Sequence, residues 1–138
     1  MKDLRHAAVT AIASVAVLSA LLGQALAVDL TGAWATNADE CGHVFVRKGA
    51  NDIAFAPDSE MRGGGFIVEG NQLRGRSATC KVKGRKDDGT TVNIVAGCAT
   101  DIMLSDVQFA LKVIDQNKIT RLFPGMEDIQ INYYRCPM

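Results

Sequence analysis

Few side chains in this sequence have the types and the spacing that catalysis requires. Nucleophilic catalysis needs a nucleophile, a base and an orienting group within hydrogen-bond reach. His43 is the only histidine after residue 27, and no serine stands in a Gly-x-Ser-x-Gly motif. Pairs of acids that could cleave sugars, such as Asp39-Glu40 and Glu127-Asp128, fall in turn-like stretches where carboxylates are normally solvated. The sequence therefore predicts a protein that is not an enzyme and needs no cofactor. A small hydrolase is the remaining alternative.

The four cysteines offer either two disulfides or a metal site. No Cys-x-x-Cys pair is present, which disfavours zinc, and an even number of cysteines in an exported chain favours disulfides. Residues 86–90 have the composition of a turn between two strand-like runs. A three-residue loop there sets Cys80 opposite Cys98. The sequence therefore predicts the bridges Cys80–Cys98 and Cys41–Cys136, and no metal ligands.

The beginning of the chain has the composition of a secretory signal. A basic start is followed by an uncharged apolar run over residues 7–22 and by the small-x-small pattern Ala25-Leu26-Ala27. We expect residues 1–27 to be removed and Val28 to begin a mature protein in the periplasm or outside the cell. The alternative is a retained membrane anchor. The apolar run is shorter than the ~20 residues that span a bilayer, and no membrane span is expected after cleavage.

Composition limits the remaining classes of protein. The chain has 138 residues, with 15 basic and 15 acidic side chains and 48% hydrophobic residues. Zero net charge argues against a nucleic-acid partner, and the high apolar fraction argues against disorder. We therefore expect residues 28–138 to form a single folded domain.

Hydrophobic residues after position 28 recur with a period of two. Val92, Ile94 and Ala96 share one face of a strand, and the odd positions from 107 to 113 form another apolar face. Turn residues separate these runs, and no 3.6-residue stripe is evident. The sequence therefore predicts an all-β fold with two disulfides, and the spacing of its turns fits a barrel. A β-sandwich is the alternative. The apolar stretch 99–104 is assigned to the core.

The mature domain opens with Gly32-Ala33-Trp34 on its first predicted strand. This Gly-x-Trp pattern, followed by a meander of short strands, resembles the calycin group of lipocalins, avidins and bacterial metalloprotease inhibitors. The resemblance implies that the all-β fold with its two disulfides is a small antiparallel up-and-down barrel of about eight strands. It also implies that Trp34 plugs one end of this barrel and that an arginine from a late strand packs across it. Arg121 is expected to take that part, with Arg135 as the alternative. Since the domain is short, its cavity is expected to be small or filled.

A run of six cations without an intervening acid lies between positions 74 and 86. A bulge near Ser77-Ala78 would place the first five on the outer face of the sheet. No aromatic side chain lies among them to stack on bases, so they predict either a solvated face or a contact surface for a partner protein or a polyanion. The six are Arg74, Arg76, Lys81, Lys83, Arg85 and Lys86.

Three consecutive glycines, Gly63, Gly64 and Gly65, interrupt the strand pattern. They lack the Gly-Lys-Ser/Thr sequence of a phosphate loop, so they predict either a plain loop or a mobile lid over the barrel mouth. The function predicted from these features is an exported binding module that holds a small apolar ligand or a partner protein at that mouth. The alternative is a cell-envelope inhibitor or interaction protein that acts through the basic strand.

Overall fold

The computed structural model describes residues 27–138, and ten β-strands account for most of them. The predicted all-β barrel is confirmed, since eight of the ten strands close into one antiparallel barrel. The strands are β1 (Gly32–Ala35), β2 (Phe45–Arg47), β3 (Ile53–Phe55), β4 (Gly65–Glu69), β5 (Gln72–Arg74), β6 (Thr79–Asp88), β7 (Thr91–Ala99), β8 (Leu104–Asp115), β9 (Lys118–Leu122) and β10 (Gln130–Arg135).

The barrel is an up-and-down meander with one insertion. From β4 to β10 each strand pairs with the next, and β1 closes the ring by pairing with both β4 and β10. Residues 36–64, the inserted segment, connect β1 to β4. They contain two 3-10 turns (Ala38–Glu40 and Ser59–Arg62), the one-turn helix α1 (Cys41–Val44) and the β2–β3 hairpin.

Antiparallel pairing gives the barrel two distinct ends, because successive connections alternate between them. The inserted segment and the connections after β5, β7 and β9 lie at one end, which we call the mouth end. Residues 27–31 and the short loops after β4, β6 and β8 lie at the other, which we call the N-terminal end. The predicted signal over residues 1–27 falls outside the described part of the chain, except for Ala27. Among residues 27–138, no helix is long and apolar enough to cross a bilayer.

The barrel interior is filled by the residues that the period-two pattern placed on one face. Residues that lie directly opposite each other in paired strands point to the same face of the sheet. The buried residues of β7 are paired with residues of β6 and β8, whose side chains therefore also point into the barrel. Trp34 is fully buried at the centre of this cluster, beside Phe66. The buried members are Leu30, Trp34, Val68, Leu73, Cys80, Val92, Ile94, Ala96, Cys98, Leu111, Ile119 and Tyr133.

A second, smaller core lies outside the barrel wall. The inserted segment packs Val44 and Phe45 against Ala33 and Ile67, which belong to the outer face of β1 and β4. The wall here requires Gly65, since an added Cβ would lie 2.7 Å from the Trp34 carbonyl oxygen and 2.8 Å from the Phe45 ring. The inserted segment is thus a cover on one side of the barrel.

Both predicted disulfides are confirmed. Cys80 lies directly opposite Cys98 in the β6–β7 pair, and their bridge lies inside the barrel. Cys41–Cys136 joins the inserted segment to the end of the last strand. Loop closure in the unfolded chain makes the two bridges worth about 3 and nearly 5 kcal/mol respectively.

The turn and the bulge that set this register differ from the prediction. The β6–β7 loop has two residues, because Asp88 pairs with Thr91, whereas a three-residue loop was predicted. A bulge at Lys83 then shifts the register by one residue and restores the predicted pairing at the cysteines. The bulge expected near Ser77-Ala78 is wrong, since that stretch is a turn closed by the Gly75 N–H and the Ala78 carbonyl oxygen.

The apolar stretch 99–104 is not core, contrary to the sequence interpretation. Ile102, Met103 and Leu104 are 93%, 58% and 83% exposed at the tip of the β7–β8 hairpin. The reason is the length of this hairpin. The pairing of β8 with β9 begins only at Ala110, so residues 104–109 extend beyond the neighbouring strand.

Candidate functional site

A cavity opens into the barrel at the mouth end. Its volume is about 180 Å³, below the ~300 Å³ at which pockets for drug-sized ligands begin. Its walls are mainly apolar and its opening is bordered by residues with little or no side chain. The lining residues are Gly65, Phe66, Leu73, Gly75, Ala78, Cys80, Phe109, Leu111, Arg121 and Tyr133.

The floor of the cavity is aromatic. Tyr133 meets Phe66 edge to face with ring centroids 4.9 Å apart, and Phe66 lies beside Trp34 at 6.4 Å. Phe66 and Tyr133 line the cavity, whereas Trp34, on the other side of Phe66, does not. Tyr133 belongs to the core, whereas Tyr134 lies against Lys118 on the outside.

Arg121 is the one charged side chain in the cavity wall. It stands opposite Leu111 on β8 and Ile131 on β10, so strand pairing directs it inward. Its guanidinium lies 4.7 Å from the Phe109 ring and 4.8 Å from the Phe123 ring. The Nε atom is buried and has no hydrogen-bond partner among residues 27–138.

The expectation that Arg121 crosses Trp34 is wrong, and the alternative residue takes that position. The Arg135 guanidinium lies 4.3 Å from the Trp34 ring. Trp34 pairs with Arg135 directly across the β1–β10 ladder, which places both side chains at the same depth. Arg121 lies further towards the mouth end, beyond the reach of that ring.

Arg135 and Trp34 cover part of the N-terminal end. The guanidinium donates hydrogen bonds to the carbonyl oxygens of Asp29, Thr31 and Gln116, and the Trp34 indole N–H donates to Leu30 at 2.8 Å. These contacts fasten the chain before β1 across the barrel. A depression of about 190 Å³ remains beside them, with Arg85 and Asp29 in its lining.

The mouth-end members of the basic run hold the inserted segment. Arg74 donates to the Ile53 carbonyl oxygen at 2.8 Å and pairs with Glu69 at 2.7 Å. Arg76 donates to the buried Ser59 hydroxyl and to the Gly63 carbonyl oxygen, each at 3.2 Å. These two arginines are therefore engaged within the protein and do not form a free contact surface.

The remaining cations of the run are also divided. The bulge at Lys83 turns Arg85 to the inner face, opposite Ile94, and not to the outer face that was expected. Arg85 there pairs with Asp87 and donates to the Val28 carbonyl oxygen at 2.7 Å. Lys83 reaches Asp106 on β8 at 2.6 Å. Lys81 and Lys86 are exposed. The predicted continuous basic strand is thus broken up.

The three glycines are bonded to the barrel wall. The Thr36 hydroxyl both donates to the Gly64 carbonyl oxygen and accepts from the Gly64 N–H, and the Thr36 N–H donates to the same carbonyl. Gly63 accepts from Arg76, and Gly65 begins β4. Only Gly65 borders the cavity. The glycines thus form a fixed side of the opening, and the lid that was predicted as one alternative is not formed by them.

Other candidate groups lie away from the cavity. His43 is exposed on α1, on the outer side of the barrel wall. Among residues 27–138 no three His, Cys, Asp or Glu side chains come close enough together to hold a metal ion. At the N-terminal end, hydrogen bonds from the Thr31 side chain and backbone lower the pKa of Asp29, and a hydrogen bond from Arg85 lowers the pKa of Asp87.

A larger depression of about 450 Å³ runs along the outside of β8, β9 and β10. It carries Lys112 and Glu127 and lies on the face opposite the core. The mouth cavity differs because it is continuous with the apolar interior.

Comparisons with protein-family models, curated proteins and solved structures found no match to this chain. The class that the geometry defines is a closed eight-stranded barrel with a small, mainly apolar cavity at its mouth end. The sequence singled out Arg121 for another role and did not assign it to the cavity. Its alternation with Ile119 and Phe123 would have indicated an inward side chain.

Proposed function

We propose that this protein is an exported binding module that holds a small apolar ligand, or the apolar end of a longer one, in the mouth cavity. The observation that carries the proposal is the open, mainly apolar cavity between β4, β5, β8, β9 and β10. Apolar walls exposed to water are stabilised when an apolar ligand replaces that water.

The size of the cavity limits what enters it. The cavity has a volume of about 180 Å³, and the Phe66 and Tyr133 rings limit how deep a ligand reaches from the mouth end. A drug-sized molecule would leave much of its surface outside. The cavity therefore fits a slender chain or a single ring.

Exposed apolar side chains also concentrate at the mouth end. Three of them form the tip of the β7–β8 hairpin, and the others lie in the inserted segment and the β9–β10 connection. Apolar side chains that share one region of the surface are typical of a contact site. They are Met61, Ile102, Met103, Leu104, Met126 and Ile129.

Export is the second part of the proposal. Two disulfides fit an oxidising compartment outside the cytoplasm. The folded contacts among residues 27–138 begin at Val28, whose carbonyl oxygen binds Arg85, and Leu30 is buried. Amino-terminal analysis of exported material is expected to start at Val28; a start at Met1 would contradict cleavage.

The ligand proposal is tested by isothermal titration with straight-chain alcohols from butanol to decanol. Each methylene that enters the cavity adds about 0.8 kcal/mol, which is about fourfold in affinity, until the cavity is filled. We therefore expect affinity to rise with chain length and then level off. Absence of saturable binding for every alcohol would contradict the proposal.

A matched pair of variants assigns the binding to the cavity. Ala78→Leu places a larger side chain in the cavity wall and is expected to weaken binding of 1-octanol by about tenfold or more, or about 1.4 kcal/mol. Ser77→Leu adds the same side chain to the same turn at an exposed position outside the lining, and is expected to leave the affinity unchanged. Equal effects of the two variants would place the binding elsewhere.

A further inference from the structure

We infer that the ligand of the mouth cavity is an apolar acid, whose anionic head group binds Arg121 while its apolar part occupies the cavity. This inference rests on the proposed function and names the chemical class of ligand. It follows from the surroundings of one guanidinium group and from the wall in which that group stands.

Arg121 places a positive charge in the cavity wall. The ion pairs among residues 27–138 are Arg74–Glu69, Lys83–Asp106 and Arg85–Asp87, so no carboxylate of this part of the chain neutralises Arg121. An inward charge beside apolar side chains is costly unless it is paired. The protein thus places an unpaired positive charge where a ligand would enter.

The surroundings of the Arg121 guanidinium suit a planar anion. Phe109 and Phe123 lie 4.7 and 4.8 Å from its central carbon, and these aromatic contacts stabilise the cation without accepting its N–H groups. The N–H donors lie at the edge of the guanidinium plane, and the Nε atom has no acceptor within the described part of the chain. A carboxylate is planar and accepts two parallel N–H bonds from such an edge.

The cavity wall combines one charged group with apolar side chains. Leu73, Leu111 and the Phe66 ring form apolar walls around one charged group. A neutral apolar ligand would leave the cation unpaired, and a compact inorganic anion would leave the apolar walls in water. A molecule with one anionic group and one apolar part satisfies both.

The test compares octanoate, 1-octanol and octylamine by isothermal titration at about pH 7. The three probes have the same chain length and differ in the charge of the head group. A hydrogen bond to a charged group contributes about 1.5–3 kcal/mol, so octanoate is expected to bind about 10- to 100-fold more tightly than 1-octanol. Octylamine is expected to bind most weakly, because Arg121 repels it.

Variants then assign the preference to one side chain. Arg121→Gln is expected to bring octanoate to the affinity of 1-octanol, while Arg121→Lys keeps part of the preference as a point charge. Lys112→Gln removes one positive charge from the outer face of β8 and is expected to leave the preference unchanged. Binding of 1-octanol by Arg121→Gln shows that the cavity of that variant is intact.

The outcomes separate this inference from the proposed function. Equal affinities of octanoate and 1-octanol for the unmodified protein would overturn the anionic ligand and leave the apolar cavity in place. Failure of both probes to bind would overturn the proposed function as well. A preference for octanoate that persists in Arg121→Gln and disappears in Lys112→Gln would move the anion site to the outer wall. The comparison of probes on the unmodified protein does not depend on the folding of any variant.

Discussion

Two arginines on neighbouring strands, Arg121 on β9 and Arg135 on β10, have opposite surroundings. Arg135 lies over Trp34 and donates to three carbonyl oxygens, so its hydrogen-bonding capacity is used within the protein. Arg121 lies close to two aromatic rings, and its buried Nε has no acceptor among residues 27–138. Arg135 therefore has the environment of a structural group, and Arg121 has that of a binding group.

Removing the Arg135 guanidinium is expected to destabilise the protein. Arg135→Gln loses hydrogen bonds and a cation–π contact, with an expected cost of about 2 kcal/mol in the free energy of unfolding. Lys118→Gln removes only a contact on the outer surface, over Tyr134, and is expected to cost less than about 0.5 kcal/mol. Urea unfolding followed by Trp34 fluorescence measures both. Equal costs would contradict the structural role of Arg135.

Acid is expected to weaken the N-terminal end. The pKa values of Asp29 and Asp87 are lowered from the ordinary value of 3.8, so folding favours their charged forms. Their contribution to stability is present above that value and is lost as the pH falls through the lowered pKa values. The double variant Asp29→Asn/Asp87→Asn should lose less stability between about pH 5 and about pH 2 than the unmodified protein. Parallel pH profiles in urea unfolding would contradict these contacts.

The lengths of neighbouring strands decide which residues of β7 and β8 were correctly predicted to be buried. Alternation identified the inward faces of β7 and β8 correctly, because β7 is paired on both sides along its whole length and aligns β8 residue by residue. The same reasoning assigned residues 102–104 to the core, since apolar composition alone does not reveal that a hairpin tip extends beyond its neighbour. The sequence also did not reveal the bulge at Lys83. The loop is one residue shorter than predicted, and the bulge restores the predicted pairing of Cys80 with Cys98.

The exposed hairpin tip and the barrel wall are expected to respond differently to substitution. Ile102→Ser should change the free energy of unfolding by no more than about 0.5 kcal/mol, because this side chain is already in water. Leu111→Ala should cost about 2–5 kcal/mol, because Leu111 is buried in the barrel cluster. Thermal or urea unfolding compares the two. A large cost for Ile102→Ser would restore the core assignment of this segment.

The two disulfides join different parts of the fold, so removing each one is expected to expose a different segment of the chain. Replacing Cys41 and Cys136 with alanine should cost up to about 5 kcal/mol and release the inserted segment, since the bridge closes the longer loop. Replacing Cys80 and Cys98 should cost about 3 kcal/mol. Hydrogen exchange of residues 36–64 distinguishes them. Strong exchange in the second variant alone would contradict the assignment of Cys41–Cys136 as the clasp of that segment.

At the scale of the whole molecule, the barrel places its structural and binding contacts at opposite ends. The all-β class and both disulfides could be predicted from alternation and register, whereas the barrel and the inward position of Trp34 were implied by the resemblance to the calycin group. Whether the cavity is small or filled could not be predicted, since it depends on how far the aromatic rings fill the interior. The basic run was misread as one surface because its members belong to two strands, a turn and a bulge.

The most direct test of the account is to locate bound octanoate by nuclear Overhauser effects to the leucine methyl groups. Leu73 and Leu111 line the mouth cavity, whereas Leu104 is exposed at the hairpin tip. We predict contacts from the octanoate methylenes to Leu73 and Leu111, and their loss in Ala78→Leu. Contacts to Leu104 without contacts to either cavity leucine would show that the ligand binds on the surface and would contradict the account.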